Sequence, residues 1–336
     1  MLTDGIPPIE DSRLSIKNVY FEGVPVRIYH PRRPSSGKQK GLLFFHGGSG
    51  TVGSLDAYER VCRHFSLMCN VVVVSVGYRL APEHRFPAQF EDGLKAVEFF
   101  MKNAESHGVD PARIVISGDG FGATIAAYIV QELVKRTDLP KPHAQVLIGP
   151  FLQAVDFNLL SYQQNRFVPI VSQRDMIQIL FWYATSNKSL VDLGTQELHI
   201  PEDKKSMYKK WLSPDNIPKE LLMRGLYREF QPSTDPSDNI YFLLSMLTAT
   251  LCSPLSAEDA VICQLPETFI LTCEFDVLRD DGLLYKKRLE DHGVRVSWCH
   301  STDGFHGLLY LFNLWYLAFP FSKKGVDNIV NYIKSL

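Results

Sequence analysis

The sequence predicts an α/β fold, a mostly parallel central sheet flanked by helices with a helical cap inserted over one edge. Three observations carry this. Short, nearly continuous Val/Ile/Leu runs recur along the chain, as in strands covered on both faces. Between them lie segments with apolar residues at three- and four-residue spacing, and such alternation builds one doubly wound sheet. Residues 151–260 then break the alternation.

Taken in order, residues 14–30, LSIKNVYFEGVPVRIYH, alternate apolar and polar about Glu22-Gly23 and read as an antiparallel hairpin. Strands are expected at 41–48, 70–79, 113–120, 143–150, 267–278 and 294–304, and helices at 54–68, 90–105, 123–136, 283–293 and 323–336. Residues 151–260 are rich in aromatic and mixed polar residues without a strong strand pattern. They read as a helical insertion capping the carboxyl edge of the sheet within a single domain, 1–336; a second domain is the alternative. Phe151, Phe167, Phe181, Trp182 and Tyr183 are candidate cap or pocket aromatics, and each is equally a candidate for plain core packing.

The 336 residues are 45% hydrophobic and 21% charged, enough to bury a large core. A net charge of −2 lacks the basic excess of a nucleic-acid binder. The local basic run HPRRPSSGKQK, 30–40, reads as a solvated loop, with a partner site as the alternative. Six cysteines are scattered without a CxxC pair or zinc spacing, as small core residues are. Asn187-Lys188-Ser189 is a glycosylation sequon, a weak pointer to a secretory lumen. No run of ~18 apolar residues suits a membrane span. The start, MLTDGIPPIEDSR, lacks the charged and apolar regions of a signal peptide, so the chain is expected to be soluble or to lack an upstream anchor.

Three stretches carry chemistry. ISGDGFGAT, 116–124, reads as strand, tight turn and helix, with glycines at the outer positions of G-x-S-x-G and Gly120 at the centre. In such an elbow the central side chain projects above the sheet as a nucleophile. A GxGxxA dinucleotide turn is the alternative, disfavoured because that fingerprint belongs to a first βαβ unit. FFHGGSG, 44–50, follows a buried strand, and its backbone N–H groups can face an oxyanion. Finally, Asp276 in CEFDVLRDDG ends one expected strand and His306 in DGFHG follows the next, with Asp280 and Asp281 as rival acids. The order elbow, acid, histidine is that of the α/β-hydrolases.

HGGSG, YRLAPEHRFPAQFED (78–92), GVDPARIVISGDGFGA (108–123) and the stretch from FDVLRDDGLLYKKRL to DGFHG (275–307) together resemble the hormone-sensitive lipase family of α/β-hydrolases, and within it the arylacetamide deacetylase group. The likeness covers nearly the whole chain, including YKKWLSPDNIP and VNYIKSL. It implies the α/β-hydrolase fold and an ester or amide hydrolase for small apolar acyl substrates, needing no metal or cofactor. His306 would be the base, Asp276 its acid partner, and the turn His46, Gly47, Gly48, Ser49 with the N–H of Phe121 the oxyanion hole. The implied ligand is a small apolar ester or lipid-like molecule. No nucleic-acid partner is implied, and membrane contact comes only through an anchor absent from this chain. Relatives carry that anchor facing the endoplasmic reticulum lumen.

Departures cluster at the site. Gly120 stands in place of the serine, Phe121 in place of a small alanine, and Ser49 in place of a third glycine. Thr51 stands where the deacetylase has a cysteine expected to pair with the one at Cys273, so that bridge is not expected here. Removing the nucleophile of another serine hydrolase cost about 10⁶ in kcat. The expectation is therefore a hydrolase-family member with little or no serine-hydrolase turnover. The alternatives are slow attack by a water held on His306, a binding protein for a small apolar ligand, and a vestigial fold.

Overall fold

A computed structural model of the chain describes residues 11–32, 37–168, 170–184, 202–222, 251–313 and 319–336. The sequon at 187–189, residues 1–10, residues 33–36 of the basic run, and 185–201 and 223–250 of the expected cap lie outside the described residues.

Strands β1 (Leu14–Phe21) and β2 (Val24–Pro31) form the expected hairpin, with Phe21 paired to Val24. Both turn residues, Glu22 and Gly23, take positive φ (46° and 87°), a twist that matches a two-residue hairpin. The remaining strands are β3 (Gln39–Phe45), β4 (Val72–Val76), β5 (Val109–Asp119), β6 (Ala144–Ile148), β7 (Glu267–Phe275) and β8 (Val296–Phe305). They join the hairpin in one sheet of order β1-β2-β4-β3-β5-β6-β7-β8. Every pairing from β4 through β8 is parallel, and only β1–β2 and β2–β4 are antiparallel.

Ten α-helices are described: α1 (Glu59–Cys69), α2 (Ala88–Lys102), α3 (Phe121–Val134), α4 (Leu160–Gln164), α5 (Gln173–Ala184), α6 (Glu202–Leu212), α7 (Lys219–Leu222), α8 (Asp259–Ile262), α9 (Arg279–Asp291) and α10 (Pro320–Ser335). They cover both faces of the sheet because successive strand residues point to opposite sides. Leu43 and Phe45 pack with Phe100 of α2, Ile129 of α3 and Leu284 of α9. Leu42 and Phe44 pack with Phe65 of α1 and Ile329 of α10. The described part of 151–260 is helical, without a strand among the described residues.

Two helix starts differ most from expectation. Residues 54–57 form a turn in which Ser54 Oγ accepts the Ala57 N–H at 3.0 Å, so α1 begins only at Glu59. Helix α9 begins four residues early, because Asp276 Oδ1 accepts the Leu278 N–H at 2.8 Å and folds the first turn. That turn, Arg279-Asp280-Asp281-Gly282, is polar yet buried, which apolar periodicity does not register.

Its burial rests on ion pairing. The Arg279 guanidinium donates to Asp280 Oδ1 (2.9 Å), Glu274 Oε1 (3.2 Å) and Gln164 Oε1 (2.9 Å). Arg279→Met leaves two buried carboxylates without their cation and is expected to cost about 3–5 kcal/mol. Chemical denaturation checks this, and a loss under roughly 1 kcal/mol would show that the network is already hydrated.

Candidate active site

Four strands end at one place. Gly120 follows β5, Gly149 follows β6, Asp276 follows β7 and His306 follows β8. Gly120 has φ 55° and ψ −116°, its N–H donates to Ile148 O at 2.9 Å, and α3 begins at the next residue. The outer glycines answer a steric demand. A Cβ on Gly122 would lie 2.2 Å from Phe45 O, and one on Gly118 would lie 2.1 Å from Gly122 O. Helix and strands therefore approach too closely for side chains at those two positions.

His306 Nδ1 lies 3.0 Å from Asp276 Oδ2. A Cβ on Gly120 would lie 3.3 Å from His306 Nε2, on the other side of the ring. Sequence reading missed two supports of this pair. Gly149 packs beside it in a left-handed backbone conformation (φ 47°) that favours glycine; a Cβ there would meet Asp276 Oδ2 at 3.4 Å and His306 Nδ1 at 3.6 Å, ordinary contact distances. Asn165 donates to Glu274 O and Asp276 O, both at 3.0 Å. A glycine directly after a strand at this edge was the available signal for Gly149; nothing marked Asn165. The rival acids are engaged elsewhere. Asp280 binds Arg279 and the Ser161 N–H (2.7 Å). Asp281 accepts from the Leu152 and Gln153 N–H groups, the Gln153 amide and the Tyr162 hydroxyl.

The HGGSG turn divides. Gly48 and Ser49 face a cavity with about 430 Å³ of open space, its mouth included, together with Phe121 and His306. The cavity lining includes Gly48 and Ser49 but not His46 or Gly47, which pack behind it. The His46 ring is buried and stacks on Tyr78 at 4.2 Å, while the Gly47 N–H is taken by the Tyr58 hydroxyl. The YRLAPEHRFPAQFED stretch fixes this turn: Tyr78 donates its hydroxyl to His46 O (2.6 Å) and the Ala81 N–H donates to Gly50 O (2.8 Å).

The sequence profile of the alpha/beta hydrolase fold family matches residues 42–200 and 229–310. Human arylacetamide deacetylase-like 4 is 42% identical over 335 residues, covering 100% of this chain and 82% of that protein. The chain belongs to the arylacetamide deacetylase family of α/β-hydrolases. Human arylacetamide deacetylase-like 3 is 39% identical over 332 residues, 98% of this chain and 81% of that one. Among solved structures, an esterase from Pyrobaculum calidifontis aligns with a TM-score of 0.70 at 25% identity, over 96% of this chain and 85% of that one. The family is one of carboxylic-ester hydrolase-like proteins.

Within that frame the charges around the imidazole are unusual. Burial opposes a charge on His306, but the Asp276 carboxylate, with a smaller contribution from Asp119, outweighs it and raises the imidazole to about 9. Asp119 is itself pushed up to about 6 by burial, against the pull of His306 and of the Tyr58 hydroxyl that donates to its Oδ2 at 2.6 Å. The two carboxyl groups thus favour the charged form of His306.

Among the described residues the rest of the lining is apolar: Phe121, Phe151, Val171, Met176, Leu180 and Leu278. Of the candidate aromatics, Phe151 lines it, and Tyr183 packs behind Phe121 with ring centroids 5.1 Å apart. Phe181 is core. Phe167 and Trp182 are not pocket residues. Phe167 is 84% exposed under the Arg166 guanidinium, and Trp182 points outward from α5, one residue round from buried Phe181. Cys273 is a buried free thiol, and the Thr51 hydroxyl donates to Gly48 O at 3.2 Å.

Proposed function

We propose that this family member binds small apolar acyl compounds without forming an acyl-enzyme. The observation that carries the reading is Gly120 at the apex of the elbow, with only hydrogen where a hydroxyl would face His306 Nε2. No neighbour substitutes for it. Asp119 is turned to Tyr58, and Ser117 is fully buried within β5. A water attacking directly would need a neutral imidazole as its base, whereas His306 holds its proton up to about 9.

What remains is a receptor. The Phe121 N–H, in the first turn of α3, has no intrahelical acceptor and stands at the positive end of the helix dipole. Gly48, Ser49 and the imidazolium complete a polar end opposite the apolar wall. Such an end favours an acid over the matching ester. Binding of phenylbutyrate is expected to stay level up to the titration of His306 at about 9 and to weaken about tenfold or more above it, as the attracting cation is lost. Its methyl ester should show no such fall. Calorimetric titration of both across pH, repeated on His306→Gln, checks this. Equal pH profiles for acid and ester would remove the charge argument, and binding of neither would remove the receptor reading.

A further inference from the structure

Lys38 and Lys40 come from the basic run expected to be a solvated loop, yet Gln39 and Lys40 open β3, and Gln39 is 6% exposed. Neither the carbonyl oxygen nor the amide nitrogen of Gln39 has a hydrogen-bond partner among the described residues, and the carbonyl oxygen of Asn70 has none either. These buried groups belong to residues that, with Lys38, Lys40 and Arg113, line a cleft with about 680 Å³ of open space, so a ligand reaches them only by a turn of the two amide side chains. The cleft lies at the amino edge of the sheet, where β3 and β4 begin. It is separated from the His306 cavity by the length of β3, roughly 20 Å. We propose that this cleft is a second binding site, for a phosphomonoester on a hydroxylated carrier.

The charge inventory supports an anion. Lys38 is paired with Glu105. Lys40 reaches the Ile333 carbonyl at 2.8 Å at the carboxyl end of α10. Arg113 has no carboxylate partner among the described residues. One acid therefore faces three cations, and a guanidinium is suited to grip a phosphate through two parallel bonds. The unpaired amides refine the class. A buried amide left without partners is costly. Phosphate oxygens can accept from the Gln39 amide nitrogen, but its carbonyl oxygen and that of Asn70 need donors, which bare phosphate in its dianionic form lacks and the hydroxyls of a carrier supply.

The test uses the full chain. Calorimetry with inorganic phosphate and with glycerol phosphate, at ionic strength matched with chloride, reads affinity. Sedimentation with phosphatidylcholine vesicles, with and without a phosphatidylinositol phosphate, separates a lipid headgroup from a soluble source. Glycerol phosphate is expected to bind more tightly than phosphate, and Arg113→Gln to weaken both by about tenfold or more. Gln39→Leu should erase the preference for glycerol phosphate while melting no lower than the unmodified chain without ligand, because it removes an unpaired amide. Vesicle binding that Arg113→Gln abolishes assigns the headgroup; glycerol phosphate binding alone assigns a soluble ligand. Responses that chloride reproduces, or that both variants retain, overturn the site.

Discussion

Gly120→Ser is expected to restore acyl-enzyme formation. The introduced hydroxyl would enter beside His306 Nε2, in a site that keeps the Asp276–His306 pair at 3.0 Å and the Gly48–Ser49 turn. Hydrolysis of a short-chain aryl ester should rise at least about 10³-fold, given that loss of the nucleophile elsewhere costs about 10⁶. A fluorophosphonate probe should label this variant and not the unmodified chain. Because the base must be neutral to take the serine proton, the restored rate should climb with pH up to the titration of His306 near 9. Adding His306→Ala should abolish both labelling and turnover. Stability moves the other way. The backbone at φ 55° and ψ −116° costs a non-glycine residue about 1–3 kcal/mol, and the new Cβ pushes the imidazole by a few tenths of an ångström. The variant should therefore melt lower, and a higher melting temperature would contradict the strain. A covalent acyl adduct on any side chain of the unmodified chain would falsify the non-turnover reading itself.

Gly122→Ala should be far more damaging, though it touches no reacting group. The added methyl would meet Phe45 O at 2.2 Å and His46 O at 2.5 Å, both backbone atoms that cannot rotate away. Separating α3 from β3 also opens the core that Ile125, Ile129 and Phe45 share. We expect a loss of more than about 4 kcal/mol, beyond ordinary overpacking, read as failure to fold or a collapsed denaturant midpoint. Near-normal stability would mean that helix and strand separate freely, and the steric account of the glycine spacing would fall.

The parallel strands and the order of elbow, acid and histidine were legible in the sequence because both depend on short-range pattern. A strand buried on two faces must be apolar throughout, and a strand end places the next residue at the sheet edge. What escaped depends on groups distant in sequence. Asp280 and Asp281 could be separated from Asp276 only by seeing their partners Arg279, Ser161 and Gln153. The support that Tyr78 and Tyr58 give His46 and Gly47 from behind likewise joins residues distant in sequence. Phe167 and Trp182 look like pocket material by residue type, and only the rotation of α5 and the fold of the preceding turn send them outward. Asp119 bears on the imidazole through its charge, and its own state is set by burial and by Tyr58, sixty-one positions away in sequence.

Helix α5, which supplies Met176 and Leu180 to the apolar wall, is tied near both ends. The Gln173 amide donates to Phe157 O at 2.6 Å, and the Tyr183 hydroxyl donates to Gln89 Oε1 at 2.9 Å. The two bonds hold α5 at opposite ends against the rest of the fold. On the reading proposed above the helix would work as a gauge: the four-residue interval from Met176 to Leu180 measures about 6 Å, and that span would set how long a hydrocarbon tail fits before its end must bend or protrude.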